Sequence, residues 1–256
     1  MVNYAIAGGG RLARHFSHYF RLLGIPYTCW ARDRRSPLNT FEIPDAELRL
    51  KKTICNADRV LLLVSDDAIT DLLRQYPFLF EKQLIHCSGA LSLPGVAGAH
   101  PLMTFADDLY ELASYQSVPF MCEAGYVFNE LFPGLSNPNF TIPLEDKARY
   151  HALCVMAGNF PQLLWNVISD RFEQQFNLPA STLHPYLERV SANFVQMPGS
   201  SLTGPLVRND QSTIDRNINA LGGDPLQNLY RAFVNFYQSD EQAVVQAKHT
   251  KMEHSA

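Results

Sequence analysis

Near its start the chain runs Val2-Asn-Tyr-Ala-Ile-Ala-Gly-Gly-Gly-Arg-Leu-Ala13. A short apolar stretch ends at three glycines and passes at once into a helix-like pattern. Few folds begin this way, because strand, tight turn and helix must pack as one unit. Gly8, Gly10 and Ala13 fit the G-x-G-x-x-G/A spacing of a dinucleotide-binding turn. Gly8 permits the turn, Gly10 leaves the backbone open to a pyrophosphate, and Ala13 lets helix and strand approach closely. The helix N-terminus offers free N–H groups to phosphate, so Gly8, Gly9, Gly10, Arg11 and Leu12 are the expected phosphate-binding residues.

The first half alternates strand-like and helix-like pieces. Strands are expected at Asn3–Ala7, Tyr27–Ala31, Val60–Val64, Leu84–Cys87 and Val118–Cys122. Helices are expected at Arg11–Leu23, Asp67–Tyr76 and Glu123–Leu131. The alternation predicts an α/β Rossmann domain with a doubly wound, mainly parallel sheet. Val60-Leu-Leu-Leu-Val64 is apolar throughout, as a strand buried on both faces should be. Near Pro143 the pattern changes to helices: Glu145–Phe176 with Pro161 as a kink, then Ser181–Val195, Gln211–Leu221, Asp224–Tyr237 and Glu241–Lys248. The expected organisation is therefore a dinucleotide-binding domain over 1–143 and an all-α domain over 144–256. The loop from Met197 to Asp210 mixes turn formers with hydroxyl, basic and acidic side chains, a composition suited to function.

The bulk properties narrow the partners. With 256 residues, a net charge of −4 and 18% charged residues, the chain gives no argument for nucleic acid or anionic membranes. Its five scattered cysteines lack any C-x-x-C pair and point to a reducing, cytoplasmic setting. No apolar run approaches the ~20 residues of a membrane-spanning helix, and a core strand at the N-terminus argues against a cleavable signal peptide.

The end of the second strand selects between cofactors. An acid there bonds a ribose 2′-hydroxyl, whereas an arginine accommodates a 2′-phosphate. Here Tyr27-Thr-Cys-Trp-Ala31 is followed by Arg32-Asp33-Arg34-Arg35. Arg32 and Arg34 favour NADP over NAD; Asp33, if it turned inward, would restore NAD.

Several segments together resemble a known group. Trp30-Ala-Arg32 is similar to a W-N-R piece of the 6-phosphogluconate dehydrogenase-like superfamily, which includes ketopantoate and pyrroline-5-carboxylate reductases. Val64-Ser-Asp-Asp-Ala-Ile69, His86-Cys-Ser-Gly-Ala-Leu91, His100-Pro-Leu-Met-Thr-Phe105, Tyr150-His-Ala with Asn159, and Leu202-Thr-Gly-Pro-Leu-Val-Arg-Asn-Asp210 resemble, in that order, the two-domain Rossmann-like family with a DUF2520 C-terminal domain. The resemblance spans nearly the whole chain. It implies a Rossmann domain, a helical domain, an NADP-type cofactor and a homodimer through the helices, and it names no substrate. Two departures stand out. The late loop reads Arg208-Asn209-Asp210 where the family has R-G-D. The lysine that relays protons in the sugar-acid dehydrogenases, four residues before Asn159, is Val155 here.

His151, Val155 and Asn159 share one helix face. If that face meets the interdomain cleft, His151 is the general acid and Asn159 orients substrate or nicotinamide; otherwise both are structural. His100, extended before Pro101, is a second candidate acid or a structural histidine. Ser65, Asp66 and Ser88 follow strands and would touch the cofactor, although Asp66 also suits a helix N-cap. Thr203, Arg208 and Asp210 are substrate candidates, with Arg208 as an anion clamp and Asp210 alternatively a cap. His15 and His18 look like surface residues without a third metal ligand. No G-x-S-x-G elbow or P-loop is present, and the histidine beside Cys87 is a strand neighbour facing the other way. The expected activity is hydride transfer between NADP(H) and a small carbonyl, imine or hydroxyl compound. The rivals are an NADP-binding sensor without chemistry and, more weakly, a methyltransferase.

Overall fold

The computed structural model describes residues 2–253, with side chains up to residue 239. Strand β1 (Tyr4–Ala7) leads through the glycine turn to α1 (Arg11–Leu23). There follow β2 (Tyr27–Trp30), α2 (Ala46–Ile54), β3 (Arg59–Leu62), α3 (Asp66–Gln75), β4 (Gln83–His86) and β5 (Val96–Pro101). Next come α4 (Leu112–Ser117), β6 (Phe120–Glu123), α5 (Phe128–Leu131) and β7 (Asn139–Ile142). Four helices complete the chain: α6 (Lys147–Phe176), α7 (His184–Gln196), α8 (Gln211–Ala220) and α9 (Leu226–Glu253). The strands form one sheet in the order β2-β1-β3-β4-β5-β6-β7. All neighbours run parallel except the antiparallel β5–β6 pair. No helix among the described residues is long and apolar enough to cross a membrane.

Side chains alternate across a strand, and here both faces are covered. Tyr4, Ile6, Leu61 and Ile85 pack with Phe16 and Phe20 of α1. Ala5, Ala7, Val60 and Leu62 pack on the other side with Leu50 of α2 and Ile69 and Leu72 of α3. Such double burial is why these strands carry almost no polar residue. Helix α1 stops at Gly24, whose φ of 67° lets its N–H reach back to the carbonyls of Arg21 and Phe20.

Several expectations are corrected. Glu123 ends strand β6 and does not start a helix; α5 is confined to Phe128–Leu131. Strand β5 is an addition: beyond Val96, Val-Ala-Gly-Ala-His-Pro has none of the β-branched and large aromatic residues that mark strands. Helix α2 is another, and its signal was present, since Asp45 caps it by accepting from Leu48 N at 2.7 Å. Strand β7 and helix α4 complete the additions. The two last helices are one, α9, and α6 continues through Pro161.

The chain separates into two compact units that divide between Asn166 and Val167. The first holds the whole sheet and the leading turns of α6. The second holds the rest of α6 with α7, α8 and α9.

Candidate functional site

In a parallel sheet, ligands bind beyond the C-terminal strand ends. There the first unit has a cleft of about 270 Å³, lined by Leu12, Leu63, Asp66, Ser88, His100 and His151 among others. Leu12, in the first turn of α1 just after the glycines, contributes to its lining. A Cβ on Gly8 would lie 2.2 Å from the carbonyl oxygen of Leu63, so only glycine lets β1 and the end of β3 meet. Around Gly10 an added Cβ would meet nothing within 4 Å. Gly10 is also the N-cap of α1; no side chain caps that end and no acid occupies its first turn. The N–H groups there are open to an anion. Arg11 leans away from the turn, pairing with Asp107 at 2.9 Å.

Ser65 occupies the N-cap position of α3 without a side-chain cap bond, and Asp66 is the first helical residue. Asp66 is therefore not the cap. Its carboxylate accepts from the Ser88 hydroxyl at 2.7 Å. Ser88 Oγ in turn accepts from Leu91 N at 2.8 Å, which folds the turn after β4. In that turn Gly89 seats His151: a Cβ at Gly89 would stand 2.3 Å from the imidazole Cδ2.

His100 lies on strand β5 itself, with Nδ1 2.8 Å from the Tyr150 hydroxyl. Its ring stands perpendicular to that of His151, centroids 5.8 Å apart. Burial, then the neighbouring His151 and Lys147, push its pKa down to about 4, so it is neutral at pH 7. Burial also raises the pKa of Tyr150, so the phenol keeps its proton.

Under the cleft lies a buried group that the sequence did not reveal. Lys147 Nζ is 2.5 Å from Glu123 Oε1 and also donates to the Leu91 carbonyl. Glu123 Oε2 accepts from Gly98 N at 3.0 Å, and a Cβ at Gly98 would collide with this carboxylate. His86 Nε2, 4.0 Å from Glu123, is buried without a hydrogen-bond partner. Burial first, then the charge of Lys147, hold its pKa down to about 4. Lys147 stands four residues before His151 and ties the first turn of α6 to the sheet. Only that i, i+4 spacing could have flagged it.

At the end of β2, Arg32 and Arg34 are exposed. Asp33 is turned to Arg35, accepting from its backbone N at 2.9 Å and from Nε at 3.4 Å. Arg49 of α2 is buried below this loop and donates to the carbonyls of Ala31 and Arg32.

Other predicted residues lie elsewhere. Asn159 is exposed and absent from the cleft lining. His15 is buried, not superficial: its nitrogens meet the Tyr115 hydroxyl at 2.8 Å and the Ala106 carbonyl at 2.9 Å. In the second unit, Thr203 borders a small pocket with Leu206, Tyr230 and Phe233, and Arg208 is exposed. Asp210 caps α8, accepting from Thr213 N at 3.1 Å; its bonds to Thr213 and Ser212 lower its pKa. Asn209 adopts a φ of 52°. Asparagine tolerates this left-handed conformation, which explains how it replaces the glycine of R-G-D. Among the described residues, no group of three or more His, Cys, Asp or Glu is placed to hold a metal.

Residues 122–235 match the domain of unknown function DUF2520. The DUF2520 match starts on β6, takes in His151 and the 203–210 loop, and leaves the glycine turn outside it. Solved structures share the whole architecture. A candidate NADP oxidoreductase from Bacteroides fragilis is 19% identical with a TM-score of 0.72, covering 93% of this chain and 98% of its own. Protein TM1727 from Thermotoga maritima is 24% identical with a TM-score of 0.69, covering 94% and 98%. Pyrroline carboxylate reductase from Plasmodium falciparum, solved with NADP bound, is 12% identical with a TM-score of 0.56, covering 95% and 99%. No curated protein matches the chain.

Proposed function

We propose that the chain is an NADP(H)-dependent oxidoreductase acting on a small carbonyl, imine or hydroxyl compound. The observation that carries this reading is the cleft itself, where two histidines and Leu12, two residues past the uncapped N-cap glycine of α1, line one cavity. The donor set fits the cofactor. Open N–H groups at Gly10 suit a pyrophosphate, and Arg32 and Arg34 suit a 2′-phosphate. Asp33, engaged by Arg35, does not compete for the ribose. The NADP-bound relative of the same fold supports the choice. When bound, the nicotinamide supplies or accepts the hydride.

The chain's own residues supply position and a proton. His151, seated closely against Gly89, gives its proton to the carbonyl oxygen or imine nitrogen of the substrate. Neutral His100 accepts from Tyr150 at Nδ1, which leaves Nε2–H to orient the substrate. Ser88 and Asp66 fix the turn on which Gly89 sits. Arg208 and Thr203 are proposed to bind substrate, with Asp210 confined to capping. The exposed apolar stripe of α6, Leu153, Met156, Phe160 and Leu163, supports a homodimer. A cytoplasmic setting accords with the scattered free thiols. The second reading, an NADP-binding sensor, rests on Val155 at the position of the superfamily lysine.

Fluorescence titration with NADPH and NADH tests the cofactor. Binding of neither sinks the proposal, and tighter NADH sinks the role of Arg32. Screening 2-keto acids, aldehydes and imines for NADPH oxidation then separates enzyme from sensor. Turnover that survives His151→Ala removes that histidine as the acid; tight NADPH binding with no turnover favours the sensor.

A further inference from the structure

The loop that carries Arg32 is gripped from below by a second cation. Arg49 is 1% exposed. Its guanidinium donates to Ile43 O at 2.5 Å, Pro44 O at 3.4 Å, Ala31 O at 3.1 Å and Arg32 O at 3.3 Å. The remaining Nε is buried and has no partner. No ion pair to Arg49 occurs among the described residues; of the acids in the same stretch, Glu42 is exposed and makes no bond to Arg49, and the other three are engaged elsewhere. Asp33 holds Arg35, Asp45 caps α2, and Glu47 pairs with Lys51.

A buried guanidinium is normally balanced by a carboxylate, because carbonyl dipoles solvate a charge without cancelling it. Bracing a loop requires N–H donors but not a net charge. Here the charge stands directly beneath the backbone of Arg32, the residue aimed at the 2′-phosphate. We propose that Arg49 is a specificity-determining residue whose unbalanced charge favours NADP over NAD. The ribose 2′-phosphate is its missing counter-charge, acting through the low-dielectric protein and reinforcing Arg32. Arg49 is a positioning residue as well, since it fixes the Ala31 and Arg32 carbonyls. This inference rests on the NADP reading above.

The test is the ratio of NADPH to NADH dissociation constants in wild type, Arg49→Met and Arg49→Lys. Arg49→Met is expected to weaken NADPH about tenfold and NADH by less than about twofold, while Arg49→Lys, which keeps the charge, retains most of the preference. Equal weakening of both cofactors would reduce Arg49 to a brace and overturn the inference, as would a preference unchanged in Arg49→Met. Should that variant fail to fold, the wild-type Arg49 Nε–H resonance gives the answer. It is expected to move on adding adenosine 2′-monophosphate and to stay put with adenosine 5′-monophosphate; equal shifts, or none, overturn the inference. A wild type that binds neither dinucleotide, or prefers NADH, fails the parent reading itself, which distinguishes the two failures.

Discussion

Ile6, Leu61 and Ile85 in the sheet are wholly enclosed, whereas Leu153, Phe160, Phe194 and Phe236 on the helices stand more than half exposed. The sheet buries both faces with helices from its own chain. The helices leave apolar stripes uncovered: Leu153, Met156, Phe160 and Leu163 recur at i, i+3, i+7 and i+10 on α6. That spacing suits the seam of a helix–helix interface. The contrast teaches that the sheet completes its core with helices of its own chain, while the helices leave apolar faces uncovered in a single chain, as the proposed homodimer would require.

The sharpest way to break this contrast is to charge the seam. Phe160→Glu with Leu163→Glu is expected to raise the dimer dissociation constant roughly a thousandfold, since two buried anchors are worth about 2 kcal/mol each. Sedimentation equilibrium measures it, and a wild type that sediments as a monomer ends the comparison.

Acid should separate the two regions next. His86 and His100 are held down to about 4 in the fold against 6.5 unfolded. Between those values the unfolded chain binds more protons, so stability is full above about 6.5 and falls as pH drops toward 4. From pH 7 to pH 5 the loss is at most about 2 kcal/mol per histidine. In the second unit, Asp210 and Asp224 have lowered carboxyl pKa values, through their hydrogen bonds to the starts of α8 and α9. Their contribution is present above the ordinary 3.8 and is lost only below it. Hydrogen exchange should show strand amides loosening by pH 5 while α8 stays protected; the reverse order would refute the assignment.

Two smaller effects sharpen the second unit. Asp210→Ala should lower its melting temperature by a few degrees through loss of the α8 cap, with NADPH affinity unchanged. Asn209→Gly should relieve the left-handed backbone and stabilise by less than about 1 kcal/mol in urea titration.

What the sequence displayed was local. The glycine turn, α1 and the all-apolar strands read correctly because turn geometry and double burial leave few residue choices. Strand β5 did not, because Gly98 and His100 are there for Glu123 and Tyr150, partners distant along the chain. His151 was nominated from helix spacing, but its seat on Gly89 and its tether through Lys147 are tertiary facts. Arg49 lies on a helix that the sequence reading did not expect, and only folding places it under the Arg32 loop. Asn159 shares a helix face with His151, yet that face extends past the cleft.

Strand β7, with Phe140 exposed, is a free edge of the sheet. An unpaired edge is where a strand from another molecule adds and aggregation begins. Here Pro138 stands just before the strand and Pro143 just after it. Neither has an N–H to offer an incoming chain, so the template is cut to four residues. The proline at which the sequence turns from sheet to helix is thus also a guard against misassembly, and replacing both prolines would lengthen an edge on which these chains could polymerise.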